Sequence, residues 1–465
     1  VGVGFRALYS NTTASNSTAI GYQSLYANTT GASNTGIGTY TLAQNTTGAS
    51  NFAGGYNALG ANTTGTSNVG IGFRALQSNT TASNNTAVGY QSLYHTTGAN
   101  NAAIGYQSLY SNTTGESNVA LGFALATNTT GSENSAVGWG SLYYNTTGSY
   151  NTAVGRSALL LNTTADNNTA VGKDAMYANT TGTANVGLGK DALASNTTGV
   201  ESTAVGYQAG FLNTTGRITA MGRHALRSNT TAVENTGIGY RALRDTTTGA
   251  KNTAVGGDAL ISNTTGYNNS ALGYASLYTN TTGYHNTALG YYSLLTNSTG
   301  LVNTAVGVAS LQSNTTGTGN VAVGADALIS NTTAGNNTAV GYQASYSNTT
   351  GPRNTAVGKG ALRLNTNQGY NTAVGFEALR QNSSGSQNTA VGDSALLNNT
   401  SGTYNTAVGQ GAMVGNTSGV YNTGVGLNVL YNSTTGQRNT VLGYTAGANN
   451  VTGSYNVYLG SYCAD

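Results

Sequence analysis

The feature that most constrains the fold is a 17-residue period that runs through the whole chain. A glycine that follows an aliphatic residue, here called the anchor glycine, recurs 28 times between Gly4 and Gly460. Successive anchors are 17 residues apart in 24 of 27 intervals and 16 apart in the other three. A period of this length is typical of solenoids, in which each repeat is one coil that buries its apolar face by stacking on its neighbours.

Each repeat contains one short strand signal. From the anchor onward the consensus reads G-Y-Q-A-L-Y-S-N-T-T-G-x-x-N-T-A-V. The residue before the anchor is aliphatic in 27 repeats, with Gly54 as the exception, and the residue three before it is mostly Thr. These two positions share one face of a strand, because side chains alternate. The residue between them is Ala or Gly in 26 of the 28 repeats, whereas a solvated face would carry polar side chains.

This pattern predicts a strand packed on both faces. We expect the Thr and aliphatic face to line the coil and the Ala or Gly face to meet a close neighbour outside it. Leu four residues after the anchor adds a second apolar point, so one coil buries only a thin core. The expected fold is an all-β β-solenoid or β-roll of about 28 rungs, with three copies packed or intertwined; a monomeric solenoid is the alternative.

The array is expected to form one domain over residues 1–465. Val441 and Tyr458 break the small-residue rule in the last two repeats. Terminal repeats of solenoids are usually atypical, so residues 444–465 are predicted to form a C-terminal capping rung. The three 16-residue intervals (89–105, 122–138 and 206–222) are expected to lose their residue in a turn, which would preserve the strand register.

Composition excludes several classes of protein. Charged residues make up 6% of the chain and the net charge is +3, which is too dilute for nucleic-acid binding. Intrinsic disorder usually needs high charge and low hydrophobicity, but 38% of the residues are hydrophobic. No apolar run approaches the length of a membrane span, so no membrane insertion is expected. The single Cys463 excludes an intrachain disulfide framework and a cysteine-based metal site within one chain.

Some segments resemble known fibre repeats. "NVAVGADAL" (320–328) and "NTAVGYQSLY" (85–94) resemble the (S/T)-x-A-I/V-G-x-x-A repeats of trimeric autotransporter adhesin heads. They are even more similar to the NTAVGYQAL…NTTG arrays of phage and bacterial tail-fibre-domain proteins. The resemblance covers essentially the whole chain and implies an intertwined homotrimer that is displayed outside a cell or on a virion and contacts a host or environmental surface. The adhesin repeat is shorter, which leaves the handedness of the coil open.

Asn-Thr-Thr recurs seven residues after most anchors and has two interpretations. As N-x-S/T sequons these triplets could carry N-linked glycans. As stacked side chains they could form hydrogen-bonded ladders from coil to coil, which we favour. The candidate residues are Asn11, Asn28, Asn45, Asn62, Asn145 and Asn263.

Tyrosine is abundant and often follows the anchor directly. Stacked one coil apart, such residues would form an aromatic stripe that either contacts a ligand such as a glycan or rigidifies the array. The candidate residues are Tyr22, Tyr90, Tyr106, Tyr207 and Tyr342.

No motif indicates catalysis. Gly36-Ile37-Gly38 mimics part of a dinucleotide loop, but a 17-residue coil has no room for the helix that such a site needs. The three histidines lie far apart and share no carboxylate pattern. We therefore expect no enzyme activity and no catalytic, cofactor or metal site. The favoured function is an extracellular or virion-borne adhesive fibre; the alternatives are an N-glycosylated filament or matrix protein and an ice- or surface-binding threonine array.

Overall fold

The computed structural model describes residues 1–463 and shows an all-β chain. Contacts between residues divide the chain into two compact units, Val1–Val233 and Glu234–Asp465. Each unit is a parallel β-solenoid with one short strand per coil, and residues 1–463 contain no helix. The predicted solenoid class and the 17-residue spacing are confirmed.

Each unit contributes fourteen of the strands found in residues 1–463. In the first unit they are β1 (Gly2–Val3), β2 (Thr18–Ile20), β3 (Thr35–Ile37), β4 (Phe52–Gly54), β5 (Val69–Ile71), β6 (Thr86–Val88), β7 (Ala102–Ile104), β8 (Val119–Leu121), β9 (Ser135–Val137), β10 (Thr152–Val154), β11 (Thr169–Val171), β12 (Val186–Leu188), β13 (Thr203–Val205) and β14 (Ile218–Met221). In the second unit they are β15 (Asn235–Ile238), β16 (Thr253–Val255), β17 (Ser270–Leu272), β18 (Thr287–Leu289), β19 (Thr304–Val306), β20 (Val321–Val323), β21 (Thr338–Val340), β22 (Thr355–Val357), β23 (Thr372–Val374), β24 (Thr389–Val391), β25 (Thr406–Val408), β26 (Thr423–Val425), β27 (Thr440–Leu442) and β28 (Val457–Leu459).

Consecutive strands within a unit pair in parallel and in register. In β10 and β11, for example, Ala153 lies opposite Ala170 and Val154 opposite Val171. The 16-residue intervals keep this register, with Thr86 opposite Ala102, Val119 opposite Ser135 and Thr203 opposite Thr219. The missing residues are thus absorbed outside the strands, as predicted.

The Ala or Gly position of the strand points into the coil. Ala153 is fully buried, as is Leu159, the leucine four residues after the next anchor. A Cβ built on Gly36 would lie 2.5 Å from Ser24 Oγ and 3.6 Å from Leu25 Cγ, both within the solenoid interior. The small residues therefore face the leucine core.

The Thr and aliphatic face points outward instead. Ile104 is 46% exposed and Leu272 is 48% exposed, while the threonines on this face are mostly half-buried. The expectation that this face lines the coil, and that the Ala or Gly face meets a neighbour outside it, is wrong. The interior is narrow and already holds one leucine in most coils, so the wall opposite that leucine must carry small side chains.

The anchor glycines turn the chain at the end of each strand. Gly273 has φ +131°, and a Cβ built there would lie 2.5 Å from the carbonyl oxygen of Gly290 in the next coil. Leu109 and Gln107, in the turn that follows an anchor, adopt the left-handed region with φ of 51° and 49°. This conformation is costly for residues with a Cβ, so full burial of the leucine must help to hold it.

The last coil differs from the others. Gly447 takes the place of the core leucine, as Gly210 does in the first unit, and a Cβ built on Gly447 would lie 2.8 Å from the Tyr458 ring. Tyr458 therefore occupies the space that a leucine fills elsewhere, while Val457 and Leu459 are mostly exposed. Of the predicted capping rung 444–465, residues 464 and 465 lie outside the described part of the chain. That the array 1–465 forms one domain stays a prediction.

Candidate functional site

The asparagines of the Asn-Thr-Thr turns stack from coil to coil. Asn45 donates its side-chain amide to Asn28 Oδ1 at 2.7 Å and to the carbonyl oxygen of Gly48 at 2.9 Å. Asn62 in turn donates to Asn45 Oδ1 at 2.7 Å. Each amide thus links two coils and closes its own turn. Chains of such bonds stiffen a structure, because every buried polar group is satisfied only while the stack is intact.

The six candidate asparagines fall into two environments. Asn145 donates to Asn128 Oδ1 at 2.7 Å, and Asn263 accepts from Asn280 at 2.8 Å, so both belong to stacks of the same kind as Asn28. Asn11 is exposed and donates to the carbonyl oxygen of Ala14 at 3.3 Å. The fully buried members of the set are Asn28, Asn45, Asn62, Asn145 and Asn263. An N-linked glycan on any of these five would be bonded to the same side-chain nitrogen that donates hydrogen bonds within the buried stack.

Sequence reasoning missed a second asparagine ladder, which precedes the strands. Asn34 Oδ1 accepts the backbone N–H of Asn51 at 2.9 Å. Asn34 also donates to the carbonyl oxygen of Gly48 at 2.7 Å, so that one carbonyl joins both ladders. The signal was available, because Asn recurs four residues before most anchors. It was overlooked because this asparagine is rarely part of a sequon.

Aromatic residues after the anchors form a stripe in the first unit. Tyr56, Phe73, Tyr90 and Tyr106 stack in successive coils with centroid distances of 5.4, 5.1 and 5.4 Å. Tyr22 stacks on Phe5 at 5.3 Å. The faces of these rings are largely covered by one another, so the stripe presents ring edges and hydroxyl groups to solvent.

The other two candidate tyrosines lie outside this stack. Tyr207 lies beside His224 at 5.3 Å with the rings tilted, and Lys190 Nζ lies 5.5 Å from its centroid. Tyr342 is exposed, and the coils on either side carry Ala325 and Lys359 at its position. The structure therefore brings together Tyr90 and Tyr106 but not all five residues.

In each unit the outward strand face carries an aliphatic row, defined as the residues directly before the anchors and broken at Gly54 in the first unit. Val154, Val171, Leu272 and Leu289 are typical members and are each more than a third exposed. In-register pairing places one such side chain per coil, about 4.8 Å apart. Half-buried threonines flank the row along most of its length.

Charged groups are few, and several of them form ion pairs with a neighbour. The most buried of these pairs is Arg241 with Asp258, where Nε donates to Oδ1 at 2.7 Å and Nη2 to Oδ2 at 2.8 Å. This hydrogen bonding to Asp258 raises the pKa of Arg241 above its usual value. Within residues 1–463, no group of three or more His, Cys, Asp or Glu side chains is placed to hold a metal ion.

Comparison with known proteins supplies no family for this chain. No protein-family model matches it, and no curated protein does. A search of residues 1–463 for helices of the length and hydropathy needed to cross a bilayer also finds none.

Proposed function

We propose that the chain is a segment of an adhesive fibre, displayed outside a cell or on a virion, that acts as a homotrimer without enzyme activity. The observation that carries the proposal is the exposed aliphatic row on a rigid, ladder-bonded solenoid. The resemblance to tail-fibre and adhesin repeats points in the same direction.

The aliphatic row supports self-association. Soluble monomers rarely expose large contiguous apolar patches, and those that do generally use them as interfaces. The row is regular and nearly free of charge, so copies of the same chain offer complementary surfaces around a symmetry axis. The Ala and Gly positions of the sequence predicted a trimer; the trimer is proposed here from the aliphatic row instead.

Native mass spectrometry of the 465-residue chain tests the trimer. We expect three times the chain mass, and we expect Val154→Lys combined with Val171→Lys to yield monomers. Thr147→Lys combined with Thr164→Lys places the same charges on exposed turn residues and is expected to leave the trimer intact. A monomeric or dimeric wild-type chain would contradict the proposal.

Adhesion is a separate part of the proposal. A fibre with many similar coils can present weak contacts repeatedly, and their avidity then exceeds the affinity of one contact. Labelled chain should therefore be retained on its target surface much more strongly as the trimer than as the Val154→Lys, Val171→Lys monomer. Equal retention of the two forms would argue against multivalent adhesion.

Ice or crystal-face binding is a second candidate, because the outward face also carries regular threonines. Thr372, Thr389 and Thr406 lie opposite one another in successive strands of the second unit. This function needs the face to be open, whereas the trimer covers it. Thermal hysteresis from a monomeric chain would favour ice binding over the fibre.

A further inference from the structure

A notch interrupts the surface of the second unit. Arg241, Asp258, Ala275 and Tyr292 occupy the same place in successive coils, two residues after the anchor. Ala275 is the short side chain in this series and forms the floor, while Asp258 and Tyr292 form opposite walls. The two wall residues are two coils apart, or about 9.6 Å at ordinary strand spacing. The notch has a volume of about 470 Å³.

One wall is an ion pair whose two opposite charges cancel. The side chains of Arg241 and Asp258 are 28% and 7% exposed. The bidentate contact uses two of the five N–H donors of the guanidinium group, so donors remain for a ligand. A charged ligand would be repelled by the member of this pair that carries the same charge, whereas a neutral polar ligand could form hydrogen bonds with either member.

The other walls combine aromatic surface with hydroxyl groups. Tyr292 contacts the ring of Tyr291, with centroids 3.9 Å apart, but the adjacent coils carry Ala275 and Ala309 at its own position. Tyr278 also lines the notch, as does Thr279, whose hydroxyl donates to the carbonyl oxygen of Leu295 at 3.2 Å and so keeps its oxygen free to accept. An apolar ligand would cover the remaining guanidinium donors of Arg241 without pairing them, at a cost in binding free energy.

We propose that this notch binds one or two neutral pyranose residues of a surface glycan. A pyranose has apolar C–H faces that pack on aromatic rings and a rim of hydroxyls that both donate and accept hydrogen bonds. Tyr292 and Tyr278 match the first property, and the Arg241–Asp258 pair and Thr279 match the second. The inference rests on the proposed adhesive function, for which it supplies the class of ligand.

Filling the floor of the notch is the most direct test. Glutamine already occupies the equivalent place of another coil, as Gln107. The φ of Ala275 is 51° and that of Gln107 is 49°, so the backbone at position 275 can accept the Ala275→Gln substitution. The variant should therefore fold. Ser394→Gln makes the same change at the equivalent place of another coil of the second unit, away from the notch, and serves as the matched control.

Binding would be measured by saturation-transfer NMR and calorimetry on the 465-residue chain, with maltose, cellobiose, lactose and N,N′-diacetylchitobiose as probes. At least one should bind saturably, with affinity reduced at least about tenfold by Ala275→Gln and unchanged by Ser394→Gln. The proposal is overturned if none of the four binds, if Ala275→Gln binds normally, or if galacturonic acid binds better than every neutral probe.

Surface retention separates this proposal from the proposed function. If Ala275→Gln is retained on the target surface as well as wild type and no saccharide binds, the notch assignment fails while adhesion stands. If a neutral saccharide binds at the notch but wild-type chain is not retained on any surface, the notch stands and the adhesive function fails.

Discussion

Among single residues, the buried asparagines of the turn ladder should have a large effect on stability. Asn62 donates to Asn45 Oδ1 and accepts from Asn79 at 2.9 Å. Asn62→Ala would leave Asn45 Oδ1 buried without a donor and would remove one of the two acceptors of Asn79, and an unsatisfied buried group costs about 1–3 kcal/mol. We expect chemical denaturation to show a loss of unfolding free energy in that range or above it.

Two further substitutions control for this result. Asn11→Ala removes an exposed amide and should change stability by no more than about 0.5 kcal/mol. Asn62→Thr should be milder than Asn62→Ala, because threonine already occupies this place in two coils, as Thr96 and Thr246, and Thr96 accepts from Asn112 at 3.2 Å. If Asn11→Ala and Asn62→Ala cost the same, the ladder is not a major source of stability.

Burial also predicts how the sequons respond to a glycosyltransferase. When the folded chain is treated with an N-glycosyltransferase, Asn11 should accept a glycan, whereas Asn28, Asn45 and the other buried candidates should not. The denatured chain should be modified at many sites. Intact mass and peptide mapping distinguish these outcomes. Glycans on buried asparagines of a folded chain would favour the alternative of a glycosylated filament.

At the scale of the coil, neighbouring glycines should differ sharply in their tolerance of a side chain. Gly55 is an anchor with φ +118°, and a Cβ there would lie 2.7 Å from the carbonyl oxygen of Gly72. Gly54 belongs to the outward row, and the nearest atom to an added Cβ is 3.8 Å away. Gly55→Ala should lower the unfolding free energy by more than about 1–3 kcal/mol, since strain and a backbone clash add together.

Gly54→Ala should be neutral or slightly stabilising, because glycine within a strand is unfavourable by about 0.5–1 kcal/mol relative to alanine. Thermal unfolding of the two variants, compared with wild type, provides the measurement. Similar melting temperatures for both would mean that adjacent coils do not approach as closely at the anchor as the structure shows.

The coil also shows what the sequence could and could not predict. The period fixed the class of fold and the register, because a misplaced coil would break every ladder at once. The period could not predict which strand face is inside, because the alternation of Ala153 and Val154 is the same whether Ala153 or Val154 points into the coil. That choice depends on Leu159, whose side chain fills the interior from the opposite wall. The notch was missed for a related reason, since Ala275 is informative only beside its neighbours in space.

At the scale of the whole molecule, few groups can make stability depend on pH. In the part of the chain that the structure describes, the pKa is raised for Tyr40, Tyr291, Arg241 and Arg244. Burial raises the pKa of Tyr40, and a hydrogen bond with Tyr292 raises that of Tyr291. A raised pKa contributes stability that is present below the unfolded value and is lost as the pH rises through the folded value.

For tyrosine, this loss of stability occurs above about pH 10. We therefore expect the melting temperature to stay nearly constant through the neutral range and to fall on the alkaline side. A fall of the melting temperature within the neutral range would contradict this expectation.

The last prediction concerns how far a disturbance spreads along a unit. A coil of a solenoid contacts mainly the coils before and after it, so stability is close to a sum of local terms. Asn62→Ala should accelerate amide hydrogen exchange in residues 45–79, where its ladder partners lie, and leave exchange around Leu193 in the same unit unchanged. In the wild-type chain, the coil after β1, which is mostly exposed, should exchange faster than the coils of β5 and β6. Uniform acceleration throughout the unit would mean that its coils open together, and the ladders would then be a cooperative rather than a local source of stability.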